Sequence, residues 1–152
     1  MMSGERLKNS VKLPRVVCKD GFSVSIQGGY GLYSEPRQNV AGLQYTQLEL
    51  GFPSEADGLI QEYGEFYKEN HHPTDAVYPY VPVDVIVRLI ERHGGLDEEF
   101  RNSPKARKLF DHSSPFLGVW RNLLAGPLYT HWRGRRNRLY HPKTTEEVSD
   151  DS

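Results

Sequence analysis

Hydrophobic and polar residues alternate along two short stretches of this chain, and a helical period follows. Arg15 to Cys18 is short and rich in β-branched residues, and Lys19-Asp20-Gly21 carries an Asp-Gly turn signal. Phe22 to Gln27 then alternates, with Phe22, Val24 and Ile26 on one face and Ser23, Ser25 and Gln27 on the other. This pattern predicts a β-hairpin. Tyr45 to Phe52 alternates again, Thr46, Leu48, Leu50 and Phe52 sharing a face opposite Tyr45, Gln47 and Glu49. Val77 to Val81 reads as extended, because Pro79 and Pro82 bias the residues before them away from the helical region. Pro79 has no N–H for a ladder, so this is an edge strand or a plain extended segment.

From Pro82 to His93 the period changes. Proline suits a first helical position, Val83, Ile86, Val87 and Ile90 fall on one face, and Arg88, Glu91 and Arg92 fall on another. Gly94 and Gly95 end this amphipathic helix. An apolar stripe of Leu59, Ile60, Tyr63 and Phe66–Tyr67 predicts a second helix over residues 55–68, capped by Ser54 or Asp57. Ser103-Pro104 and Ser114-Pro115 repeat a helix-start signal and predict helices at about 104–111 and 115–125. The latter buries Phe116, Val119, Trp120, Leu123 and Leu124 and stops at Gly126-Pro127. Residues 28–42 are glycine-rich, without a period, and longer than most connections.

These elements sum to an α+β expectation: a small antiparallel β-sheet packed by an amphipathic helix, with a mostly helical, basic C-terminal extension. The divisions expected are a disordered N-terminus at 1–14, a core domain at 15–100, a basic subdomain at 101–145, and an acidic disordered tail at 146–152.

Composition narrows the setting. The 152 residues suffice for one hydrophobic core without disulfides. The single cysteine, Cys18, has no partner within the chain, which fits a reducing cytoplasm. No apolar run approaches the ~20 residues that cross a bilayer, and the first residues lack a signal-peptide core. A soluble cytoplasmic protein with no membrane partner is the expectation. The formal net charge of −1 hides a division. Residues 1–100 carry 9 Lys/Arg against 15 Asp/Glu, whereas residues 101–145 carry 10 Lys/Arg against Asp111 alone. Such asymmetry points to an anionic partner or to one half of the chain docking on the other.

Three blocks carry a resemblance. Cys18-Lys19-Asp20-Gly21-Phe22-Ser23-Val24-Ser25-Ile26-Gln27 is the first, and Tyr45 through Ser54 is the second. The third runs Thr74-Asp75-Ala76-Val77-Tyr78-Pro79-Tyr80-Val81-Pro82-Val83 and closes with His93-Gly94-Gly95. Over about residues 16–95 the chain resembles a family of small phage and prophage proteins. The resemblance implies a phage accessory protein in the host cytoplasm, acting on host machinery or host defence. It supplies no activity and no catalytic residue.

Two stretches offer binding chemistry. Around the glycine-rich loop, Ser23, Ser25, Gln27, Tyr33, Ser34, Arg37, Tyr45, Gln47 and Glu49 supply donors, acceptors and aromatic faces. Arg37 suits phosphate and Tyr33 or Tyr45 suits a stacked base, so Ser25, Gln27, Tyr33, Arg37, Tyr45 and Gln47 are the candidate ligand-binding set. The same residues also fit the ordinary solvated face of an antiparallel sheet. In the basic stretch, Trp132, Arg133, Arg135, Arg136 and Arg138 can grip nucleic acid, an acidic partner surface or the acidic body of the chain itself.

Gly28-Gly29-Tyr30-Gly31 lacks the Gly-Lys-Ser/Thr ending of a phosphate loop. His71-His72 with Asp75 has no zinc-ligand spacing, and neither metal nor cofactor is expected. The leading expectation is a non-enzymatic inhibitor that sequesters a nucleotide second messenger or blocks a host defence protein, a homo-oligomer being open. The alternative is a nucleic-acid-binding protein that uses the arginine-rich segment.

Overall fold

A computed structural model describes residues 12–129. The hairpin forms where alternation and turn chemistry placed it. Strand β1 (Val16–Val17) pairs antiparallel with β2 (Ser23–Gln27), Val16 opposite Val24, and Gly21 takes a φ of 97° in the turn. Strand β3 (Gln47–Gly51) lies against β2 with Ile26 opposite Leu50, and β4 (Val77–Pro82) lies against β3. The order β1-β2-β3-β4 is an antiparallel meander with β4 at its edge. There the missing N–H of Pro79 costs no ladder bond.

The β3–β4 register carries one irregularity, between Leu48 and Leu50. Leu48 pairs with Val81, but Leu50 pairs with Tyr78. Glu49 therefore faces two residues, Pro79 and Tyr80, in a β-bulge, and Tyr80 takes a φ of 56°. A strict period of two would put Tyr78 and Tyr80 on one face. The extra residue instead sends Tyr78 and Val81 into the core and Tyr80 outward.

Helix α1 spans Val83–Arg92, with Pro82 as its N-cap, one position earlier than expected. Gly94 and Gly95 follow at φ 91° and 90°, a left-handed conformation open to residues without a Cβ. Val85 and Leu89 join the expected Ile86, Val87 and Ile90 in burial, because α1 is covered on one side by β4 and on the other by α3. A one-turn helix α2 (Glu98–Arg101) is capped by Asp97, whose side chain accepts from the Phe100 N–H at 2.9 Å. Helix α3 (Leu117–Ala125) ends at Gly126 as its sequence predicts.

Two expectations fail for local reasons. Residues 55–68 form turns and a single 3₁₀ turn at Gln61–Tyr63 rather than a helix. Gly58 and Gly64 weaken that helix, and Asp57 spends one oxygen on the Leu59 N–H in a tight turn. The short helix expected at about 104–111 forms as a 3₁₀ helix, Pro104–Phe110, with Ser103 as its N-cap. Phe52, expected on the core face with Leu48 and Leu50, sits at φ 53° and turns outward.

The core continues across residue 100 without a break. Val24, Ile26, Leu48, Leu50, Ile86 and Ile90 belong to the same buried cluster as Ala106, Leu109, Phe116, Val119 and Leu123. Gly42 packs so tightly under the Ser114 carbonyl that any Cβ would collide with it, and its N–H donates to the His112 carbonyl at 2.7 Å. The glycine-rich loop is thereby anchored to the start of the α3 region. Of the expected basic extension, the part from residue 130 onward lies outside the described residues, and Trp132, Arg133, Arg135, Arg136 and Arg138 lie there with it.

Candidate functional site

The loop after β2 is fastened to the sheet through Tyr33. Its N–H donates to Glu49 Oε1 at 2.9 Å, and its carbonyl accepts from the Tyr80 N–H at 3.0 Å. The bulge that turns Tyr80 outward thus also aims a backbone donor at the loop. Ser34, fully buried, shapes the loop from within: its Oγ accepts from Gly29 N–H and donates to the Pro36 carbonyl. Glu35 closes the frame, donating to the Gln47 carbonyl at 2.9 Å and accepting from Thr46 N–H at 2.8 Å.

On this frame stands an exposed aromatic platform. The Tyr33 and Tyr80 rings, 42% and 37% exposed, lie 5.9 Å apart at 53°. The Arg37 guanidinium carbon sits 4.9 Å from the Tyr33 ring centroid, and Arg37 Nε donates to the Leu32 carbonyl at 3.0 Å. The guanidinium is therefore oriented twice, by a ring face and by a backbone acceptor. Among the described residues its two terminal nitrogens make no hydrogen bond. Tyr67, 77% exposed, donates its hydroxyl to Glu65. That bond raises the Tyr67 phenol above its ordinary value, and the Tyr33 phenol acts in the same direction.

The remaining candidate residues go elsewhere. Gln27 is buried and occupied: its Oε1 accepts from Leu13 N–H at 2.9 Å, and its Nε2 donates to the Leu13 carbonyl and to Ser25 Oγ. Ser25 and Gln27 hold the segment before β1 against the sheet. Tyr45 is only 5% exposed, and its hydroxyl donates to the Gln38 carbonyl at 2.7 Å, so its ring offers no face to a base. It lines instead a recess of about 360 Å³ with Gly28, Asn39, His112 and Pro115. Gln47 is half-buried on β3, one residue short of the bulge. Of the six, Tyr33 and Arg37 meet at one surface.

A second polar centre lies at the end of α1. His93 Nδ1 is 2.7 Å from Asp20 Oδ2, and its Nε2 is 2.8 Å from Asp57 Oδ2. Phe22 stacks on the imidazole at 3.9 Å with the planes 8° apart, and Arg92 Nε lies 3.6 Å from the same Asp57 oxygen. An ionised carboxylate only accepts, so two of them are satisfied together by the doubly protonated ring. Burial pulls the His93 pKa down, but the hydrogen bonds and charges of Asp20 and Asp57 outweigh it and the net direction is up. The Phe22 N–H, and after it His93, hold the Asp20 carboxyl below its ordinary value. With both nitrogens engaged, this imidazole has no lone pair or proton to spend on a substrate. It joins the hairpin turn, the loop after β3 and the end of α1.

Cys18 is equally closed. Burial and then the Asp20 charge push its thiol up to about 12, far from a nucleophilic thiolate. His71 accepts the Tyr67 N–H at Nδ1, and His72 accepts the Thr74 N–H. Among the described residues no group of three or more His, Cys, Asp or Glu is placed to hold a metal ion, and no helix is long and apolar enough to cross a membrane.

Compared with family models, with curated proteins and with solved structures, the chain matches none. Sequence reasoning passed over Tyr80 and the His93 centre. Pro79 within a strand was the available signal for the first, since strand prolines accompany bulges. Asp20, Asp57 and His93 are too far apart along the chain for spacing to join them.

Proposed function

We propose that the protein acts by stoichiometric binding, capturing a planar anion of the nucleotide class on the Tyr33–Tyr80–Arg37 platform. One observation carries this reading: a guanidinium oriented by a ring and a carbonyl, with its terminal nitrogens unspent, beside an exposed and tilted aromatic pair. A phosphate fits the fork of Arg37, and a base fits the face of Tyr80. Because the loop frame is hydrogen-bonded before any ligand arrives, little ordering entropy is left to lose on binding.

The conformation of Tyr80 supports the same reading. A tyrosine at φ 56° is strained, costing roughly 1–3 kcal/mol, and such residues gather at ligand sites. Binding is favoured over turnover because the His93 imidazole and the Cys18 thiol are both committed internally. The resemblance of residues 16–95 to phage proteins suggests the setting, a phage accessory protein that sequesters a host immune nucleotide signal.

Native mass spectrometry of the protein taken from infected cells tests the proposal. The expected result is a retained small molecule, recovered intact on denaturation and absent from Arg37→Ala. A cleaved product, or equal retention by the variant, overturns it.

A further inference from the structure

Resting on that binding reading, we propose that the platform selects guanine and that Glu49 reads the edge of the base. Glu49 stands on β3 opposite the bulge, so the residue that receives the Tyr33 N–H is also the one across from Tyr80. Only Oε1 takes that bond. The second carboxylate oxygen makes no hydrogen bond among the described residues, although the side chain is half-buried.

An ionised carboxylate offers lone pairs and nothing else. Guanine presents two adjacent donors, N1–H and the exocyclic amino group, along the edge away from its sugar. Adenine and cytosine set a ring-nitrogen lone pair beside their amino donor, and uracil flanks its N–H with two carbonyls. Against Glu49, guanine alone meets acceptor with donors throughout; every other base brings a lone pair towards a lone pair. Half-burial sharpens the penalty, since water is less able to relieve a mismatched polar group. Arg37 and Glu49 then divide the ligand between them, phosphate at one and base edge at the other, with the Tyr80 ring beneath the base. The ligand class is a guanosine phosphate, free or as one unit of a larger nucleotide.

The rival role for Glu49 is to accept from the ribose hydroxyls, and the experiment separates the two. Isothermal titration of the full-length protein is carried out with guanosine, adenosine and 2′-deoxyguanosine 5′-monophosphates. The guanosine phosphate is expected to bind about tenfold more tightly than the adenosine phosphate, the scale of one good paired contact to a base edge. The deoxy form is expected to match the guanosine form. Glu49→Gln keeps an oxygen for the Tyr33 N–H but turns a donor towards the base. It should shrink the preference to about twofold or less, by weakening guanosine binding and strengthening adenosine binding, whose ring nitrogen then meets a donor.

Equal binding of guanosine and adenosine phosphates by the wild type, lost in Arg37→Ala, keeps the platform and overturns the role of Glu49. A loss with the deoxy form as large as that in Glu49→Gln assigns Glu49 to the sugar and overturns it too. No binding of any of the three removes the platform reading and the selectivity together. Should Glu49→Gln melt early by circular dichroism, the wild-type ratio of guanosine to adenosine binding still decides.

Discussion

Two cationic side chains of this protein lie against aromatic rings, His93 on Phe22 and Arg37 on Tyr33. Around His93 both nitrogens meet carboxylates, the ring is buried, and Asp57 is buried with it. Around Arg37, itself exposed, one nitrogen meets a carbonyl and the terminal pair makes no hydrogen bond among the described residues. The chemistry of the pairs is alike, but in one the polar capacity is spent inside the fold and in the other, among the described residues, that of the terminal nitrogens is not. A charged group closed on itself is cement. One held in place and left open is what the proposed binding draws on.

The largest way to break that contrast is His93→Ala. It leaves the buried Asp57 carboxylate with the Leu59 N–H on one oxygen and, among the described residues, only the more distant Arg92 as a charge partner, and should lower the unfolding free energy by about 3 kcal/mol in urea titrations. Ligand retention per folded molecule should not change. A wild-type urea midpoint would mean the centre is not structural.

Next comes Arg37→Ala, the mirror experiment. It should weaken ligand binding at least about tenfold, the loss expected for a charge-assisted contact. Its unfolding free energy, read from urea titrations, should move by no more than about 0.5 kcal/mol, as for other exposed substitutions. A destabilised variant with intact binding would reverse the two assignments.

The dependence on pH sharpens the picture. The His93 pKa is raised on folding, so its contribution is complete below about 6.5, its unfolded value, and is lost as pH rises through the folded value. The Asp20 pKa is lowered, so its contribution is present above about 3.9, its unfolded value, and is lost as pH falls through the folded value. Stability should therefore decline as pH rises above about 6.5 in wild type and show no such imidazole-dependent decline in His93→Gln, read from urea midpoints across pH. Equal alkaline slopes would detach the imidazole from both aspartates.

The smallest effect expected is that of Tyr80→Gly. Glycine relaxes the φ of 56° while removing an exposed ring, so the protein should gain about 0.5 kcal/mol and bind its ligand less well. A gain in stability with no change in binding would take Tyr80 out of the platform.

The hairpin, the edge position of β4 and helix α1 were legible in the residues. Phe22, Val24 and Ile26 announce a half-buried strand, Asp20-Gly21 announces its turn, and Pro82 with Gly94-Gly95 brackets a helix. The pattern misled at Tyr45, where a ring assigned to the polar face closes into the core through its bond to the Gln38 carbonyl. It misled again over 55–68, where an apolar stripe was outweighed by glycines and by the turn that Asp57 makes. Tyr33 and Arg37 were legible as chemistry and not as a pair.

What the chain by itself determined is whatever depends on neighbours within a few positions: period, turn, cap and stop. Those interactions act over one or two turns of backbone, and the residues that make them sit side by side in the sequence. Tertiary structure decided which side chains meet and which are left over. His93 is 73 residues from Asp20 and 36 from Asp57. Glu49 reaches Tyr33 across 16 residues, and Tyr80 reaches it only because one extra residue in β4 rotates the strand. The difference between a spent charge and an open one is a matter of packing in three dimensions, which no local pattern encodes.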